Sequence, residues 1–370
     1  MNLLMTLDRN YVPQLNVMLF SALHSDSAAY FDVYLLHDEG LSEEDVAGTR
    51  VLLGQRGTLH LMRVDEDGLA DAPTSDRYPK AIYYRIFAAK YLPDTLERVL
   101  YLDPDIVVCQ SLRELYEMPM GTAFFAAATH IRGFLHRFNE LRLDMDEDSP
   151  YINSGVMLMN LQALRAEQDT QAVFDYMEAH KGRLMLPDQD IISALYGQRI
   201  LPLDPIRYNM TEKLFALHRR NGDGMTLEDV RQQSAVIHYC GRNKPWKPGY
   251  LGELNVFYNE AVYQMSDNGH HLIIFVSYME IKCGSSEAEL PHFPITPRGV
   301  EADGTDPLAP LHGIDGELPR GGGGADGGRI AHHIEDRRRQ HQRRASHHIP
   351  TPQQEYLYLF HIASAPLSVF

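Results

Sequence analysis

Short apolar runs alternate with longer segments of helical spacing along the first two-thirds of the chain. "NLLMTL" predicts a buried strand, closed by the turn-like "DRN". "YVPQLNVMLFSALHSD" spaces its apolar residues as a helix does and stops in Ser and Asp. "YFDVYLLHD" predicts a second strand. "SEEDVAGTRVLLGQRG" predicts a polar-faced helix, with Ser42 as N-cap and acids in the first turn. "TLHLMRV" predicts a third strand. Strands and helices in strict alternation imply a parallel sheet with helices on its faces.

The pattern continues with a helix over "YPKAIYYRIFAAKYLP" and a strand over "RVLYLDPDIVV". That strand is apolar on both parities, as expected of a central parallel strand covered on both sides. "YINSGVMLMNL" predicts a strand, "LRAEQDTQAVFDYMEAHK" one helix and "DQDIISALYG" another. "RILPLD" and "AVIHYC" predict further short strands. The expected division is a folded body over 1–265, a short apolar connector over 266–282, a low-complexity segment over 283–350 and a short apolar segment over 351–370. The third part, with "ELPRGGGGADGG" and "DRRRQHQRR", has no apolar period and is expected to be disordered.

Composition narrows the function. The 370 residues are 44% hydrophobic and 23% charged, as in a globular protein. A formal net charge of -16 argues against nucleic acid as a partner and means that an anionic substrate needs a cation or a local basic pocket. Cys109, Cys240 and Cys283 are widely separated, so they predict neither a disulfide framework nor a zinc site. The first residues lack the basic start and continuous apolar core of a secretory signal, and "HLIIFVSYM" is too short to span a membrane. A cytoplasmic protein is expected, with at most peripheral contact with the inner membrane face. The tail histidines His332, His333, His347 and His348 read as part of a solvated run.

Candidate chemistry begins at "ERVLYLDPDIVVCQ", where Asp103 and Asp105 flank Pro104 at the end of an apolar core. Residues two apart in an extended chain point the same way, so both carboxylates can reach one hard cation such as Mg²⁺ or Mn²⁺. A lone D-x-D reads more simply as a turn between strand and loop. "HYCGRNKPW" adds an imidazole at His238, a small residue at Gly241 and an ammonium at Lys244, again after an apolar strand. Alone, His238 reads equally as a core histidine and Lys244 as a surface lysine. Together the four polar groups describe a metal-diphosphate site, and an imidazole ligand favours Mn²⁺ over Mg²⁺.

These residues resemble glycosyltransferase family 8, the retaining transferases related to bacterial lipooligosaccharide galactosyltransferases and to glycogenin. The resemblance runs from Met1 to about Gln264 through "TLDRNY", "YPKAIYYRI", "LYLDPD", "YINSGVMLMNL", "LPDQD" and "HYCGRNKPWKPGY". It implies a GT-A type nucleotide-diphospho-sugar transferase fold, with a mixed, mostly parallel central sheet flanked by helices, and catalysis within 1–265. It also implies transfer of glucose or galactose from UDP-glucose or UDP-galactose to a glycan or lipid-linked acceptor. By the same resemblance Thr6, Asp8, Asn10 and Tyr11 line the uridine pocket. Asp103, Asp105 and His238 bind Mn²⁺ or Mg²⁺, with Asp103 also near the ribose or sugar. Arg85 bridges donor sugar and carboxylates, and Asn153 and Ser154 face the donor sugar. Asp188 and Gln189 hold its hydroxyls beneath the anomeric carbon. Gly241 and Lys244 close over the diphosphate.

Two positions depart from the family pattern. His130 stands where relatives often carry an acid that contacts sugar or acceptor, and Arg9 replaces the second acid of the first turn. Gln189 and Asp190 lie nearest the question of retention; an amide is a weak nucleophile, which favours front-face attack over a covalent intermediate. Asp190 reads equally well as a cap of the helix "IISALYG". Tyr83, Tyr84 and Trp246 read as packing, and "KPWKPGY" reads equally as shaping the acceptor side. Two other functions compete: a binding protein that holds UDP-sugar without turnover, and a phosphatase of the D-x-D-x-x-V type. The second is disfavoured because "LDPDIVV" follows three earlier strands and no later acidic pair completes that site.

Overall fold

The structure is a computed structural model that describes residues 1–38, 40–64, 80–129, 134–147, 149–220 and 224–268. The expectations for the connector beyond residue 268, the two terminal segments, Cys283 and His130 lie outside the described residues.

Nine strands are described: β1 Asn2–Thr6, β2 Phe31–His37, β3 Gly57–Arg63, β4 Arg98–Leu102, β5 Ile106–Val108, β6 Phe125–Ala128, β7 Val156–Asn160, β8 Ile200–Leu203 and β9 Val236–His238. Seven form one sheet in the order β3-β2-β1-β4-β7-β6-β8, and β5 pairs with β9 in a second, two-stranded sheet. β1 is parallel to β2 and β4, β2 to β3, and β6 to β8, while β7 runs antiparallel to β4 and β6. The sheet is therefore mixed and mostly parallel.

Alternation along the central strands divides the core into two layers. Leu3, Met5, Leu100, Leu102, Val156 and Leu158 face one layer, filled by the helices Val12–Ser25 and Asn255–Asp267 and by β5 and β9. Leu4, Val99, Tyr101, Met157 and Met159 face the other, with Tyr83, Tyr84, Phe87 and the helices Leu161–Glu167, Thr170–His180 and Pro187–Tyr196. Each fully buried Leu, Met or Phe contributes about 1.5–3 kcal/mol. Tyr83 and Tyr84 are fully buried packing residues.

Several elements break where the apolar pattern was continuous. "RVLYLDPDIVV" is two strands, β4 and β5, in two different sheets. Asp103 N–H still bonds Gly155 O at 2.8 Å, but Pro104 has no N–H to continue a ladder. The helix expected after Ser42 starts only at Ala47, with Val46 as its N-cap residue. Ser42 is tied into a local turn, its hydroxyl donating to Asp45 Oδ2 at 2.7 Å. "LRAEQDTQAVFDYMEAHK" is two helices, because Asp169 accepts from the N–H groups of Gln171 and Ala172 and starts a new one. "YPKAIYYRIFAAKYLP" holds the helices Ala81–Tyr84 and Ala88–Tyr91 with a 3₁₀ turn, Arg85–Phe87, between them. Strand β7 begins at Val156, so Tyr151–Gly155 is loop. The helix Asn255–Asp267 runs past residue 265, where the body was expected to end.

Candidate active site

Because β7 runs against β1 and β4, its amino end lies beside their carboxyl ends. Thr6 ends β1, Asp103 follows β4, and Asn153, Ser154 and Gly155 lead into β7. His238 ends β9, which pairs with β5 so that Ile106 faces His238. The break at Pro104 thus carries the chain from one sheet to the other, with one aspartate on each side of the crossing. Ligands of α/β sheets bind at such strand ends.

Asp103, Asp105 and His238 converge: one ligand atom from each lies within 4.8 Å of the others. His238 Nε2 is 3.3 Å from Asp105 Oδ1 and 3.6 Å from Asp103 Oδ2. Asp105 Oδ1 and His238 Nε2 are both buried with no hydrogen-bond partner. Such orphans are costly, so a pair of them aimed at one point fits a cation. Gly155 closes the cradle: a Cβ there would stand 2.3 Å from His238 Cε1 and 2.6 Å from Asp103 Oδ2. A carboxylate pair with an imidazole suits Mn²⁺ or a similar divalent ion.

Lys244 Nζ donates to Asp105 Oδ2 and, at 2.9 Å, to Tyr239 O. Burial pushes the Asp105 carboxyl up, but His238 and Lys244 together hold it well below the usual carboxylate range. Arg85 is buried behind Asp103, its Nη1 3.2 Å from Asp103 Oδ1 and 3.1 Å from Asp188 Oδ2, and its guanidinium lies over the Tyr101 ring at 4.2 Å. Tyr101 OH donates to Asp103 Oδ1 at 2.7 Å and meets Thr6 Oγ1 at 3.1 Å. Ser154 Oγ donates to Asp188 Oδ2 at 2.8 Å. Burial pushes Asp188 up from its ordinary value, opposed by Arg85 and Ser154. Three carboxylates, Asp103, Asp105 and Asp188, thus share two cations, Arg85 and Lys244, and the excess of negative charge also fits an added cation.

Tyr11 lies at the rim, edge-on to Trp246 with ring centroids 6.4 Å apart, and Lys244 Nζ lies 5.5 Å from the Trp246 ring. Asp8 caps the turn Arg9–Tyr11 through Asn10 N–H, and both Asp8 and Asn10 are exposed. Gly241 takes φ +92°, a left-handed turn after β9 that favours glycine. Asp188 and Gln189, in the first turn of helix Pro187–Tyr196, are both buried. Asp190 turns elsewhere. Its carboxylate accepts from Arg142 through two 2.8 Å bonds, from Tyr151 OH at 2.6 Å, and from Met185 and Leu186 N–H at 2.6 and 3.1 Å. None of these partners belongs to the metal-ligand cluster, and two of them are backbone N–H groups just before its helix.

Sequence reasoning missed Tyr101, Gly155, Asn209 and Arg142. Tyr101 had one signal, sharing a strand parity with Asp103. Gly155 stood inside a quoted motif without a role. Nothing local marks Asn209 or Arg142, whose partners are 29 and 48 residues away.

A mixed sheet with two carboxylates and an imidazole at its strand ends defines a nucleotide-diphospho-sugar transferase of the GT-A fold. The family model for glycosyl transferase family 8 matches residues 2–248, and the chain belongs to that family. It is 28% identical over 249 residues to a lipopolysaccharide 1,2-glucosyltransferase of Escherichia coli, covering 65% of this chain and 71% of that one. It is 24% identical over 253 residues to a lipopolysaccharide 1,3-galactosyltransferase of Salmonella typhimurium, covering 66% and 72%. The crystal structure of galactosyltransferase LgtC with donor and acceptor sugar analogues superposes with a TM-score of 0.62, at 24% identity over 71% of this chain and 96% of that one. The GT-A fold and the family expected from the motifs are both found.

Proposed function

We propose that the chain is a metal-dependent, retaining hexosyltransferase that moves glucose or galactose from a UDP-sugar to a hydroxyl of a glycan or its lipid-linked precursor. The observation that carries this reading is the pair of buried orphans, Asp105 Oδ1 and His238 Nε2, set beside Asp103 in a glycosyl transferase family 8 chain. Asp103, Asp105 and His238 would hold the ion, with Mn²⁺ favoured over Mg²⁺ by the imidazole. Bound there, the ion supplies Lewis-acid neutralisation of the charge gathering on the leaving diphosphate.

The chain's own groups do the rest. Lys244, already at Asp105, adds a point charge to the diphosphate, and the turn at Gly241 lets backbone approach it. Thr6, Asp8, Asn10 and Tyr11 take the uridine, with Tyr11 stacking on the base. Arg85 orients Asp103 and Asp188 together. Asn153, Ser154, Asp188 and Gln189 hold the sugar, and the buried carboxylate of Asp188 offsets positive charge on the oxocarbenium-like ring. Gln189 is a poor nucleophile, so the acceptor oxygen attacks from the face that UDP leaves. The new C1–O bond forms as the C1–phosphate bond breaks, the bonding pair leaves with UDP, and the acceptor proton passes to the departing phosphate oxygen. Asp190 supports this site through its helix. Catalysis resides in 1–265, and the free thiols of Cys109 and Cys240 suit a cytoplasmic setting. No helix among the described residues is long and apolar enough to cross a membrane.

UDP release by the purified chain with Mn²⁺, across a panel of UDP-sugars and glycan acceptors, tests this reading. One donor turns over, and that turnover disappears with EDTA and in Asp105→Ala. Mn²⁺-dependent UDP binding without turnover on any acceptor would leave the binding-protein reading in its place. Absence of Mn²⁺-dependent UDP binding would overturn both.

A further inference from the structure

We infer that Asn209 is a positioning residue for the metal-ligand cluster: it sets the tautomer of His238 and ties that imidazole to Asn153 on the sugar side. The inference rests on the metal reading above and deepens it. Asn209 is fully buried, just past the helix Pro205–Tyr208. The next residue, Met210, bridges in parallel to Ile237 of β9, with Met210 N–H bonded to Val236 O and His238 N–H to Met210 O. This docking places Asn209 beside the His238 ring.

The hydrogen-bond directions follow from one unambiguous donor. Gly155 N–H is backbone and can only donate; it lies 3.1 Å from Asn153 Oδ1, which fixes the orientation of that amide. The Asn209 atom 2.9 Å from the same Asn153 Oδ1 must then be its Nδ2 donor. The other end of the Asn209 amide is therefore an oxygen, and it lies 3.0 Å from His238 Nδ1. That contact requires a proton on Nδ1. When the ring gives up its second proton, as binding a metal ion requires, Nε2 is therefore the nitrogen that carries the lone pair, and it faces the carboxylates of Asp105 and Asp103. Nε2 and Asp105 Oδ1 have no hydrogen-bond partner.

A purely structural buried histidine satisfies both ring nitrogens. Here one nitrogen is anchored and the other is left open among acceptors, the arrangement in which a second group orients a metal-binding imidazole. The same amide chain runs on to Asn153, so a displacement at the metal ligand reaches a residue of the sugar pocket through two hydrogen bonds.

The test uses the full chain without nucleotide. Nitrogen-15 NMR of the metal-free protein, taken upward in pH until the ring nitrogens themselves report a neutral imidazole, reads the His238 tautomer. Electron paramagnetic resonance reads Mn²⁺ affinity. The wild type shows Nδ1–H. Asn209→Leu loses that preference and binds Mn²⁺ about 10- to 100-fold more weakly. Asn209→Asp keeps the acceptor for Nδ1–H, loses only the donor to Asn153, and holds both the tautomer and the Mn²⁺ affinity within a few-fold. An Nε2–H tautomer in the wild type overturns the inference, as does a folded Asn209→Leu that binds Mn²⁺ within twofold of wild type. If Asn209→Leu does not fold, a tenfold or greater loss in Asn209→Asp overturns it. A wild type that binds no Mn²⁺ overturns the functional reading itself, an outcome separable from a wrong tautomer because the tautomer is read without metal.

Discussion

Two buried carboxylates, Asp190 and Asp105, have opposite surroundings. Asp190 accepts five hydrogen bonds, from Arg142, Tyr151, Met185 and Leu186, and both of its oxygens are used. The group left over in that cluster is a donor, Arg142 Nε. Asp105 has Lys244 on one oxygen and no hydrogen-bond partner on the other, and the atom that oxygen faces, His238 Nε2, equally lacks one. A closed ionic network holds elements together, because breaking it strands a buried charge. An open one is short of a cation and becomes complete only with a ligand. Residue type and burial are alike at Asp105 and Asp190; what differs is how many lone pairs are satisfied.

Substitutions that respect this distinction have different signatures. Asp105→Asn should lower kcat/KM for the UDP-sugar by about 10³-fold or more, the several kcal/mol a Lewis acid supplies. Its melting temperature, read by calorimetry, should stay close to wild type. Asp190→Leu should do the reverse, costing about 3–5 kcal/mol in urea unfolding by stranding Arg142. Adding Arg142→Met should then cost less than the sum of the two single changes. An Asp190→Leu chain with full stability and no turnover would assign Asp190 to the reaction instead.

Metal loading sharpens the comparison from the other side. Mn²⁺ at 100 times its Kd should add about 2.7 kcal/mol of stability to the wild type. It should add almost nothing to Asp105→Asn, and EDTA should remove the gain. The smallest effect belongs to a surface carboxylate that is satisfied like Asp190. Asp26 accepts from Ser111 Oγ at 2.7 Å and Arg113 at 3.3 Å, and these partners, with Ala28 N–H, hold its pKa below the ordinary value against partial burial. A depressed carboxylate stabilises above its unfolded pKa and loses that contribution as pH falls through the folded one. Asp26→Asn should therefore cost about 1 kcal/mol at pH 7. The difference should shrink below about pH 3.9, as followed by thermal melts across acid pH.

Much of this was legible from local pattern. Residues such as Leu3, Leu4 and Met5 are apolar on both parities, and β1 is covered on both faces. The motifs around Asp103, Asp105 and His238 named residues that do meet, because strand ends of an α/β sheet are forced together by the topology. The break between β4 and β5 was harder to read. Leu102 and Ile106 look like one apolar run, and only the pairing of β5 with β9 shows that the chain changes sheets at Pro104. Asp188 and Asp190 sit two apart on one helix and look interchangeable in sequence, yet a helix turns them about 200° apart, one toward Arg85 and the other toward Arg142.

Sequence by itself determined most of the strands and helices, which carboxylates and imidazole meet at the strand ends, and the family, because apolar periodicity and short motifs are local properties of the chain. Tertiary structure alone decided which nitrogen of His238 faces the carboxylates and which arginine each of the neighbouring aspartates Asp188 and Asp190 meets. It also set Asn209 within reach of both His238 and Asn153. Those outcomes depend on hydrogen bonds between residues 29 to 56 positions apart, and their direction is set by which lone pairs remain once every backbone donor has been placed.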